Sequence, residues 1–472
     1  MKVILIFPSV SGAIDIYTNT SIISDLIRRF TPWGKTNHTP PIGLMMLAAI
    51  TPPDIEVEIV DERLEPIDFD APADLVGITV VTQAAPRAYQ IAGEFRRRGV
   101  KVVLGGVHPS ALPREASQHA DALVLGEGEG VWPELLADLR AGSLKPLYRG
   151  RPQPDLDTLP FPRRTALRHP DMYVTTKVVN ATRGCPNTCT FCAAGVGLIK
   201  RYRKRGVPHV IQELEQTPGK MAIFVDDNLG WEADYTRALL QALRPLHLRW
   251  TGELSINAME APGMIDLAAE SGCFLMSVGL ESLSPRVLSS VCKDGTNQPE
   301  KFAPLIRRMQ QAGMAVWVNF IIGFDEEERD TIPRVMEFIH QNNVELATIY
   351  ILTPYPGAPL FKRYERQGRL LHRNWLYYES VGGTCVYTPS QMTPGQLMDE
   401  YLELIDELYS LRSVAQRLLR SPSRLTFSSL SALHLNLENR RSVAAQRQYV
   451  ARYKAYLAEL QAEAPQAPEM LT

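Results

Sequence analysis

The sequence alternates short apolar runs with longer amphipathic stretches, and it does so in two separate blocks. The first block, residues 1–150, contains five runs that are predicted as strands: KVILIFP, VEIVDE, LVGITVV, VKVVLGG and ALVLGEG. Stretches such as PRAYQIAGEFRRRG and GVWPELLADLRAG lie between them and have helical periodicity. Nearly continuous apolar strands are typical of a parallel sheet covered on both faces. The first block is therefore predicted to be an open, doubly wound, Rossmann-like α/β domain.

The second block, residues 176–352, repeats the pattern with six strand-like runs. They are KVVNAT, MAIFVDD, RWTGELS, FLMSVGLE, AVWVNFII and ATIYIL, and helical stretches such as HVIQELEQ and TIPRVMEFIHQ lie between them. Six β/α units predict a partial (β/α)6 barrel of the TIM type. In such barrels ligands bind at the C-terminal ends of the strands.

These patterns divide the chain into four regions. Residues 1–148 form the Rossmann-like domain, 149–174 a linker rich in proline and charge, and 175–365 the partial barrel. Residues 366–472 are predicted as a helical C-terminal extension with a disordered tail. The formal net charge of −2 gives no argument for nucleic-acid binding. The absence of a signal peptide and of a long apolar run favours a cytoplasmic protein.

Three of the six cysteines lie close together in the sequence, just after a predicted strand. Cys185, Cys189 and Cys192 fall within the segment RGCPNTCTFC. Three thiolates on one loop can hold three corners of an iron–sulfur cube and leave the fourth iron open for a ligand. A structural zinc site would need a fourth ligand, a thioredoxin-like pair would leave Cys185 unused, and ordinary buried cysteines rarely cluster. The spacing favours the open cluster over these three alternatives.

The C-x-x-x-C-x-x-C spacing, with Phe191 before the third cysteine, resembles the signature of the radical S-adenosylmethionine superfamily. The resemblance covers roughly residues 175–365. It implies that Cys185, Cys189 and Cys192 bind a [4Fe–4S] cluster whose open iron chelates S-adenosylmethionine. It also implies reductive cleavage of that molecule to a 5′-deoxyadenosyl radical, with the cofactors performing the difficult chemistry.

The same resemblance assigns S-adenosylmethionine-binding residues to several strand ends. Asp226 or Asp227, in FVDDN, would accept the methionyl ammonium, and Glu281, in SVGLES, would face the ribose or the amine. Gly323, in NFIIGFDEE, would let the backbone approach the adenine closely. Tyr355 lies in LTPYPG, a segment expected to contact the adenine, and Phe191 completes the set.

Residues 1–145 resemble the cobalamin-binding domain that precedes many radical S-adenosylmethionine domains. The segments GIT, LGGVHP and LGEGE carry this resemblance, and they make Thr79, Gly105, Gly106, Gly126 and Glu127 candidate cobalamin-binding residues. His108, in the same LGGVHP turn, is included with them, although a helix-cap or loop role is expected rather than cobalt ligation. The Asp-x-His-x-x-Gly sequence that supplies a cobalt ligand in other cobalamin proteins is absent.

The two domain types together predict an enzyme that methylates an unactivated carbon with methylcobalamin, in an anaerobic biosynthetic reaction. Radical ring formation, as in anaerobic magnesium-protoporphyrin ester cyclases, and a non-catalytic iron–sulfur or corrin-binding protein are the alternatives. Methylthiotransferases carry three further cysteines in their N-terminal domain, and here none precedes Cys185. No catalytic side chain is assigned, and neither the substrate nor the oligomeric state can be named from the sequence.

The C-terminal region contributes the last expectations. Residues 366–420 resemble the extension of cobalamin-dependent radical enzymes that act on hopanoids, and Trp375, Tyr377 and Tyr378 either line a substrate pocket or pack over the barrel. The expected partners are a small-molecule substrate of lipid-like or hydrophobic character and an electron donor such as flavodoxin or ferredoxin. Nine basic residues between Arg412 and Lys454 form either a solvated helical face or a peripheral membrane contact.

Overall fold

The computed structural model describes residues 1–10, 36, 38–152, 155–193, 201–424 and 426–463. Most of the predicted disordered tail, residues 464–472, and residues 153–154 of the predicted linker therefore lie outside the described residues.

The first sheet has six parallel strands in the order β2-β1-β3-β4-β5-β6. The strands are β1 Lys2–Phe7, β2 Glu56–Asp61, β3 Leu75–Thr79, β4 Lys101–Gly105, β5 Ala122–Leu125 and β6 Leu147–Arg149. All five predicted strands are confirmed. The sixth, β6, was missed because only one of its three residues is buried, so it has no apolar run.

Helices cover both faces of this sheet, as the doubly wound prediction requires. They are α1 Ile42–Ile50, α2 Ala85–Arg97, α3 Val107–Ala111, α4 Pro113–Ala116 and α5 Trp132–Arg140. Successive strand residues point to opposite faces. Val3 and Leu5 accordingly join one apolar core with α1 and α5, while Ile4 and Ile6 join the other with α2.

The second sheet is the predicted partial barrel, with six parallel strands in the order β14-β13-β12-β11-β10-β7. They are β7 Val178–Val179, β10 Met221–Phe224, β11 Arg249–Glu253, β12 Cys273–Glu281, β13 Ala315–Ile322 and β14 Leu346–Ile351. A short antiparallel pair, β8 Thr182–Arg183 and β9 Arg203–Lys204, was not predicted because these two-residue segments are polar and contain no apolar run.

Helices follow the barrel strands and then form the C-terminal extension. They are α6 Val207–Gln216, α7 Ala233–Leu243, α8 Met264–Glu270, α9 Pro285–Ser290, α10 Pro299–Gln311, α11 Thr331–Gln341, α12 Pro359–Arg366, α13 Pro394–Leu408, α14 Leu411–Arg420 and α15 Phe427–Glu463. Among the described residues, no helix combines the length and the apolar character needed to cross a bilayer.

The long helix α15 packs against β12, β13 and β14 of the barrel sheet. The C-terminal strand ends of both sheets meet at one cavity, which is lined by Thr79 and Gly105 from the first and by Asn180 and Asp227 after strands of the second. Parallel sheets bind ligands at this edge, so the functional residues are sought there.

Candidate active site

The three clustered cysteines lie on the loop that follows β8. Cys189 is buried and Cys185 and Cys192 are half-buried. The three thiols are near enough for charge on Cys185 and Cys192 to influence Cys189. Among the described residues, no three Cys, His, Asp or Glu side chains converge tightly enough for a single metal ion. A cubane binds its thiolates through three separate irons, and three thiols on one loop suit that arrangement.

Burial raises the pKa of the Cys189 thiol to about 11, and the nearby Lys293 ammonium acts in the opposite direction. A thiol of this kind ligates metal only as the thiolate, so cluster assembly must release its proton. The donor set of three cysteine thiols on one loop therefore fits a [4Fe–4S] cluster.

Asp226 and Asp227, at the end of β10, hold the start of the cysteine loop. Asp226 is buried, and it accepts hydrogen bonds from the Thr182 hydroxyl at 2.7 Å, the Thr182 amide and the Ala181 amide at 3.3 Å. Desolvation raises its pKa to about 7, and the Thr182 and Ala181 hydrogen bonds oppose that shift. Asp227 accepts the Gly184 amide at 3.0 Å. Both carboxylates thus position the loop that carries Cys185.

A cavity of about 230 Å³, here called the strand-end cavity, opens beside this loop. Phe191, Glu281 and Tyr355, three of the residues predicted to bind S-adenosylmethionine, line it, whereas Asp226 and Asp227 do not. The Tyr355 hydroxyl lies 3.3 Å from the Ser380 hydroxyl, and Phe191 packs edge-on against Phe324. A lining that combines acidic side chains with apolar and aromatic ones fits an amino acid joined to a nucleoside.

Two glutamates give this cavity its charge. Glu281, at the end of β12, lies 3.3 Å from the Lys293 ammonium and has a positive φ of 65°. Glu253, at the end of β11, is exposed to the cavity. Desolvation, followed by the charge of Glu281, raises the pKa of Glu253 to about 7, and Lys293 opposes the shift. Two carboxylates beside one ammonium suit a cationic ligand.

Sequence motifs missed Glu253, although its position offered a signal. Every other long barrel strand had a polar or glycine residue assigned at its C-terminal end, and RWTGELS was the run without one. The structure also adds Asn319 and Tyr350 to this end of the barrel, since the Asn319 amide lies 3.1 Å from the Ser277 hydroxyl and the Tyr350 hydroxyl lies 3.4 Å from Asn319 Oδ1.

Gly323, predicted to approach the adenine, does not line the strand-end cavity. Its φ is +99°, and a Cβ placed there would lie 2.5 Å from the Tyr387 hydroxyl and 2.8 Å from Leu397. Its carbonyl accepts a hydrogen bond from Tyr387, and its amide donates to Glu327 at 2.7 Å. The glycine is needed because the C-terminal extension packs on it.

A second cavity, of about 350 Å³, lies between the two domains and is here called the interdomain cavity. The predicted cobalamin residues that line it are Thr79, Gly105, Gly106, Gly126 and Glu127. It extends from the strand ends between the sheet and α1, past Leu47 and Trp132. An apolar slot with a polar, glycine-rich mouth fits a large planar cofactor.

His108, which was included with the candidate cobalamin residues, does not line the interdomain cavity. It is fully buried, and its Nε2 lies 3.1 Å from the Tyr89 hydroxyl and 3.3 Å from Glu115. Trp375 donates to the same Glu115 oxygen at 2.7 Å and packs edge-on against His108. The histidine therefore joins the first domain to the C-terminal extension, and Trp375 packs there rather than lining a pocket.

Two ion pairs at the mouth of the interdomain cavity were not predicted. Arg203 on β9 forms two buried hydrogen bonds to Glu127, one of them at 3.0 Å. Arg183 on β8 pairs with Glu129 at 2.8 Å and lies 3.5 Å from Glu127. The two strands that flank the cysteine loop are thereby fixed to the domain that forms most of this cavity.

A third cavity, of about 570 Å³, fills the space between the barrel strands and α15 and is here called the barrel cavity. It shares Glu253, Asn319 and Tyr350 with the strand-end cavity and Val225 with the interdomain cavity. The three cavities therefore meet around the ends of β10 and β11.

Two protein-family models match separate parts of the chain, one in each of the two α/β domains. The radical SAM superfamily model matches residues 179–339, and the B12 binding domain model matches residues 36–136. A bacteriochlorophyllide d C-12(1)-methyltransferase of Chlorobaculum tepidum is 31% identical over 394 residues, covering 81% of this chain and 85% of the relative. The chain belongs to the radical S-adenosylmethionine superfamily.

Two further similarities place this superfamily member more closely. A bacteriochlorophyllide d C-8(2)-methyltransferase of the same organism is 30% identical over 401 residues, covering 81% of this chain and 88% of the relative. The structure of TsrM, a radical S-adenosylmethionine methyltransferase of Kitasatospora setae with cobalamin and a [4Fe–4S] cluster bound, matches 85% of each chain with a TM-score of 0.58 at 17% identity, which shows the shared fold.

The protein is thus a cobalamin-dependent radical S-adenosylmethionine methyltransferase, with a [4Fe–4S] cluster, S-adenosylmethionine and cobalamin as its cofactors. When bound, the cluster supplies the electron that cleaves S-adenosylmethionine, and cobalamin carries the methyl group. The chain itself orients these groups, excludes water and places the methyl acceptor.

Proposed function

We propose that this enzyme methylates a carbon of an alkyl substituent on a cyclic tetrapyrrole. One observation carries the proposal: the barrel cavity adjoins both the strand-end cavity and the interdomain cavity through shared residues. A substrate in the barrel cavity would have the source of the radical on one side and the methyl carrier on another. Such an arrangement brings reacting groups together in one enclosed place.

The walls of the barrel cavity support a large, flat and mostly apolar substrate. Ile223, Leu275 and Ile349 are apolar, and Trp317 and Tyr350 add aromatic surface. Its volume is within the range of about 300–1,000 Å³ that is usual for ligand pockets. The two bacteriochlorophyllide methyltransferases among the relatives support a tetrapyrrole as the class of substrate.

The residues divide into three groups under this proposal. Cys185, Cys189 and Cys192 ligate the cluster, and Glu253 and Glu281 accept the methionyl ammonium, with Phe191 and Tyr355 packing beside the nucleoside. Cobalamin lies in the interdomain cavity, lined by Thr79, Gly105, Gly106, Gly126 and Glu127. Asp226 and Asp227 position the cysteine loop, and Asp226 also lines the barrel cavity.

The deciding experiment supplies the anaerobically reconstituted enzyme with bacteriochlorophyllide d, cobalamin, a low-potential reductant and S-adenosylmethionine carrying a deuterated methyl group. We expect one deuterated methyl group in the product and 5′-deoxyadenosine beside it. The Cys192→Ala variant should form neither, because it cannot hold the cluster.

Other products would contradict the proposal. A tetrapyrrole with a new ring and no deuterium would establish the cyclase alternative. Formation of 5′-deoxyadenosine with no change in any tetrapyrrole supplied would exclude this class of substrate.

We also propose a cytoplasmic enzyme that receives electrons from flavodoxin or ferredoxin. The basic C-terminal region is only in part a free surface, because Arg417 is buried and Arg441, Arg447 and Lys454 form ion pairs. Exposed Leu411 and Leu419 on α14 support a weak peripheral membrane contact. Co-sedimentation with anionic vesicles tests this contact, and its absence would leave a solvated helical face.

A further inference from the structure

The buried face of α15 is unusually polar. His434, Glu438, Ser442 and Gln446 follow one another at intervals of four residues, so their side chains form one row along the helix. All four are buried. The side of a helix that faces a protein core is normally apolar, and buried polar groups are costly unless they are hydrogen-bonded. A row of this kind indicates that polar side chains are needed for contacts inside the barrel.

Three residues of this row, Glu438, Ser442 and Gln446, line the barrel cavity. We call them the α15 polar row. Their exposed fractions are 2%, 4% and 4%. Glu438 pairs with Arg441 at 3.0 Å on the same helix, which balances its charge while leaving it a hydrogen-bond acceptor.

Gln446 supplies the second observation. Its amide nitrogen donates to the Val381 carbonyl at 3.3 Å, whereas its side-chain oxygen has no hydrogen-bond partner among the described residues. A buried acceptor without a donor costs free energy that a ligand donor would restore. The side chain lines the barrel cavity, is held by its amide nitrogen, and carries at its other end an acceptor without a partner among the described residues.

The strand wall of this cavity mixes apolar side chains with polar ones such as Asp226, Thr251 and Asn319. Ile223, Leu275 and Ile349 are apolar, and the Trp317 indole nitrogen already donates to Thr348 at 2.8 Å. The helix side adds three buried polar side chains that follow one another along α15 and face this mixed wall. A ligand that matches the cavity has an apolar body and a hydrogen-bond donor on one edge.

One end of the α15 polar row lies nearer to the strand-end cavity than the other. Val381, which holds Gln446, follows Ser380 in the chain, and Ser380 lines the strand-end cavity. Gln446 therefore marks the end of the row nearest that cavity, and Glu438 lies two helical turns away from it. A donor bound at one level of the row determines how far the rest of the ligand extends toward Glu253.

We propose that the α15 polar row is the specificity-determining wall of the substrate site, binding a hydroxyl or another hydrogen-bond-donating group on one edge of an otherwise apolar, planar substrate. It thereby selects which substituent faces the place where the three cavities meet. This inference rests on the proposed function, because the substrate must occupy the barrel cavity.

The test compares Gln446→Leu with Gln448→Leu in the full-length enzyme loaded with cluster and cobalamin. Both variants make the same exchange on the same helix, but Gln448 is exposed. The probe is bacteriochlorophyllide d, and its dissociation constant is measured from the change in its visible absorbance. We expect Gln446→Leu to weaken binding roughly tenfold, and Gln448→Leu to leave it unchanged.

A second readout separates orientation from folding. Gln446→Leu should raise the ratio of 5′-deoxyadenosine to methylated product, since a misplaced substrate receives the radical less efficiently. Glu438→Gln and Ser442→Ala, which are smaller changes, should move the dissociation constant in the same direction, and they carry the test if Gln446→Leu fails to fold. The thermal unfolding temperature and the S-adenosylmethionine affinity of Glu438→Gln and of Ser442→Ala should stay at wild-type values.

The outcomes are distinguishable. If the wild-type enzyme binds the tetrapyrrole and the three row variants bind it equally well, the inference is overturned and the proposed function stands. If the wild-type enzyme does not bind it, both fall. Variants that lose thermal stability while keeping the wild-type dissociation constant would make the row structural and overturn the inference.

Discussion

Glu253 shows how a single residue can be defined by its surroundings rather than by a motif. It ends β11, faces both the strand-end and the barrel cavities, and has Glu281, Lys293 and Asp227 as its charged neighbours. Its pKa of about 7 means that its charge changes across the physiological range. A cationic ligand in the cavity would favour the charged form.

We expect the affinity for S-adenosylmethionine to increase between pH 6 and pH 8 and then to level off. Below pH 7 Glu253 is mostly protonated and cannot pair with the methionyl ammonium, whereas above pH 7 it is anionic. Calorimetric titration of the cluster-containing enzyme should show a gain of roughly tenfold, in keeping with one partly solvated charge-assisted contact.

The Glu253→Gln variant should bind more weakly at pH 8 and lose most of this pH dependence. Asp226 also has a pKa of about 7, so the difference between wild type and variant isolates the share of Glu253. Glu260→Gln, which removes an exposed carboxylate paired with Lys301, is the matched control. An undiminished slope in Glu253→Gln would assign the pH dependence to another group.

At the scale of elements, the long buried strands and the helices between them were predictable, whereas the shortest strands and the polar face of α15 were not. The runs that became β1 to β5 and β10 to β14 are long enough to show nearly continuous apolar character. Strands β8 and β9 are only two residues each, and α15 carries polar residues on its buried side. None of these three elements therefore shows a periodic pattern of apolar residues in the sequence.

The same division holds for the site residues. Phe191, Glu281 and Tyr355 line the strand-end cavity. Residues at or just after the C-terminal strand ends of a barrel lie at its ligand-binding face, so their place depends little on how the rest of the chain packs. Gly323 and His108 are instead in contact with the C-terminal extension, through Tyr387 and Trp375. Such long-range contacts could not be inferred from local motifs.

The docking of the extension on β13 gives a prediction for Gly323→Ala. A side chain there meets Tyr387 and Leu397 and adopts a left-handed conformation, which costs about 1–2 kcal/mol for the backbone and about 1–3 kcal/mol for overpacking. Gly368→Ala is the control, because Gly368 has a φ of +66° and nothing within 4 Å of the added Cβ. Thermal unfolding should therefore show a larger loss for Gly323→Ala. Equal losses would mean that the extension does not pack tightly on Gly323.

At the scale of the whole molecule, the two domains are joined at the point where their ligands would meet. Glu127 and Glu129 belong to the turn after β5 at the interdomain cavity, and Arg183 and Arg203 flank the cysteine loop. The Glu127 and Arg203 side chains are only 7% and 4% exposed. Removing one partner of a buried ion pair costs about 3–5 kcal/mol, because the other charge stays buried and uncompensated.

We therefore expect Glu127→Gln to weaken both cobalamin binding in the interdomain cavity and the packing of β8 and β9 beside the cysteine loop. Cobalamin retained after gel filtration should decrease, because the turn from Gly126 to Gly130 forms part of the cavity wall. Amide hydrogen exchange should become faster in that turn and also in β8 and β9, across the domain boundary. Glu134→Gln, which removes an exposed ion pair with Lys145 in the same domain, should change neither measurement.

The ion pairs between the Glu127 turn and strands β8 and β9 should also transmit an effect from cobalamin to the cysteine loop, and not only from the loop to cobalamin. Cobalamin bound against Glu127 would hold the turn in place, so adding cobalamin to the wild-type enzyme should slow exchange in β8 and β9, and the Glu127→Gln variant should lose this protection. If exchange at β8 and β9 ignores both cobalamin and the variant, the ion pairs join the domains without coupling them. If both respond, the chain uses Arg203 and Glu127 to hold the cysteine loop in place when the methyl carrier is bound.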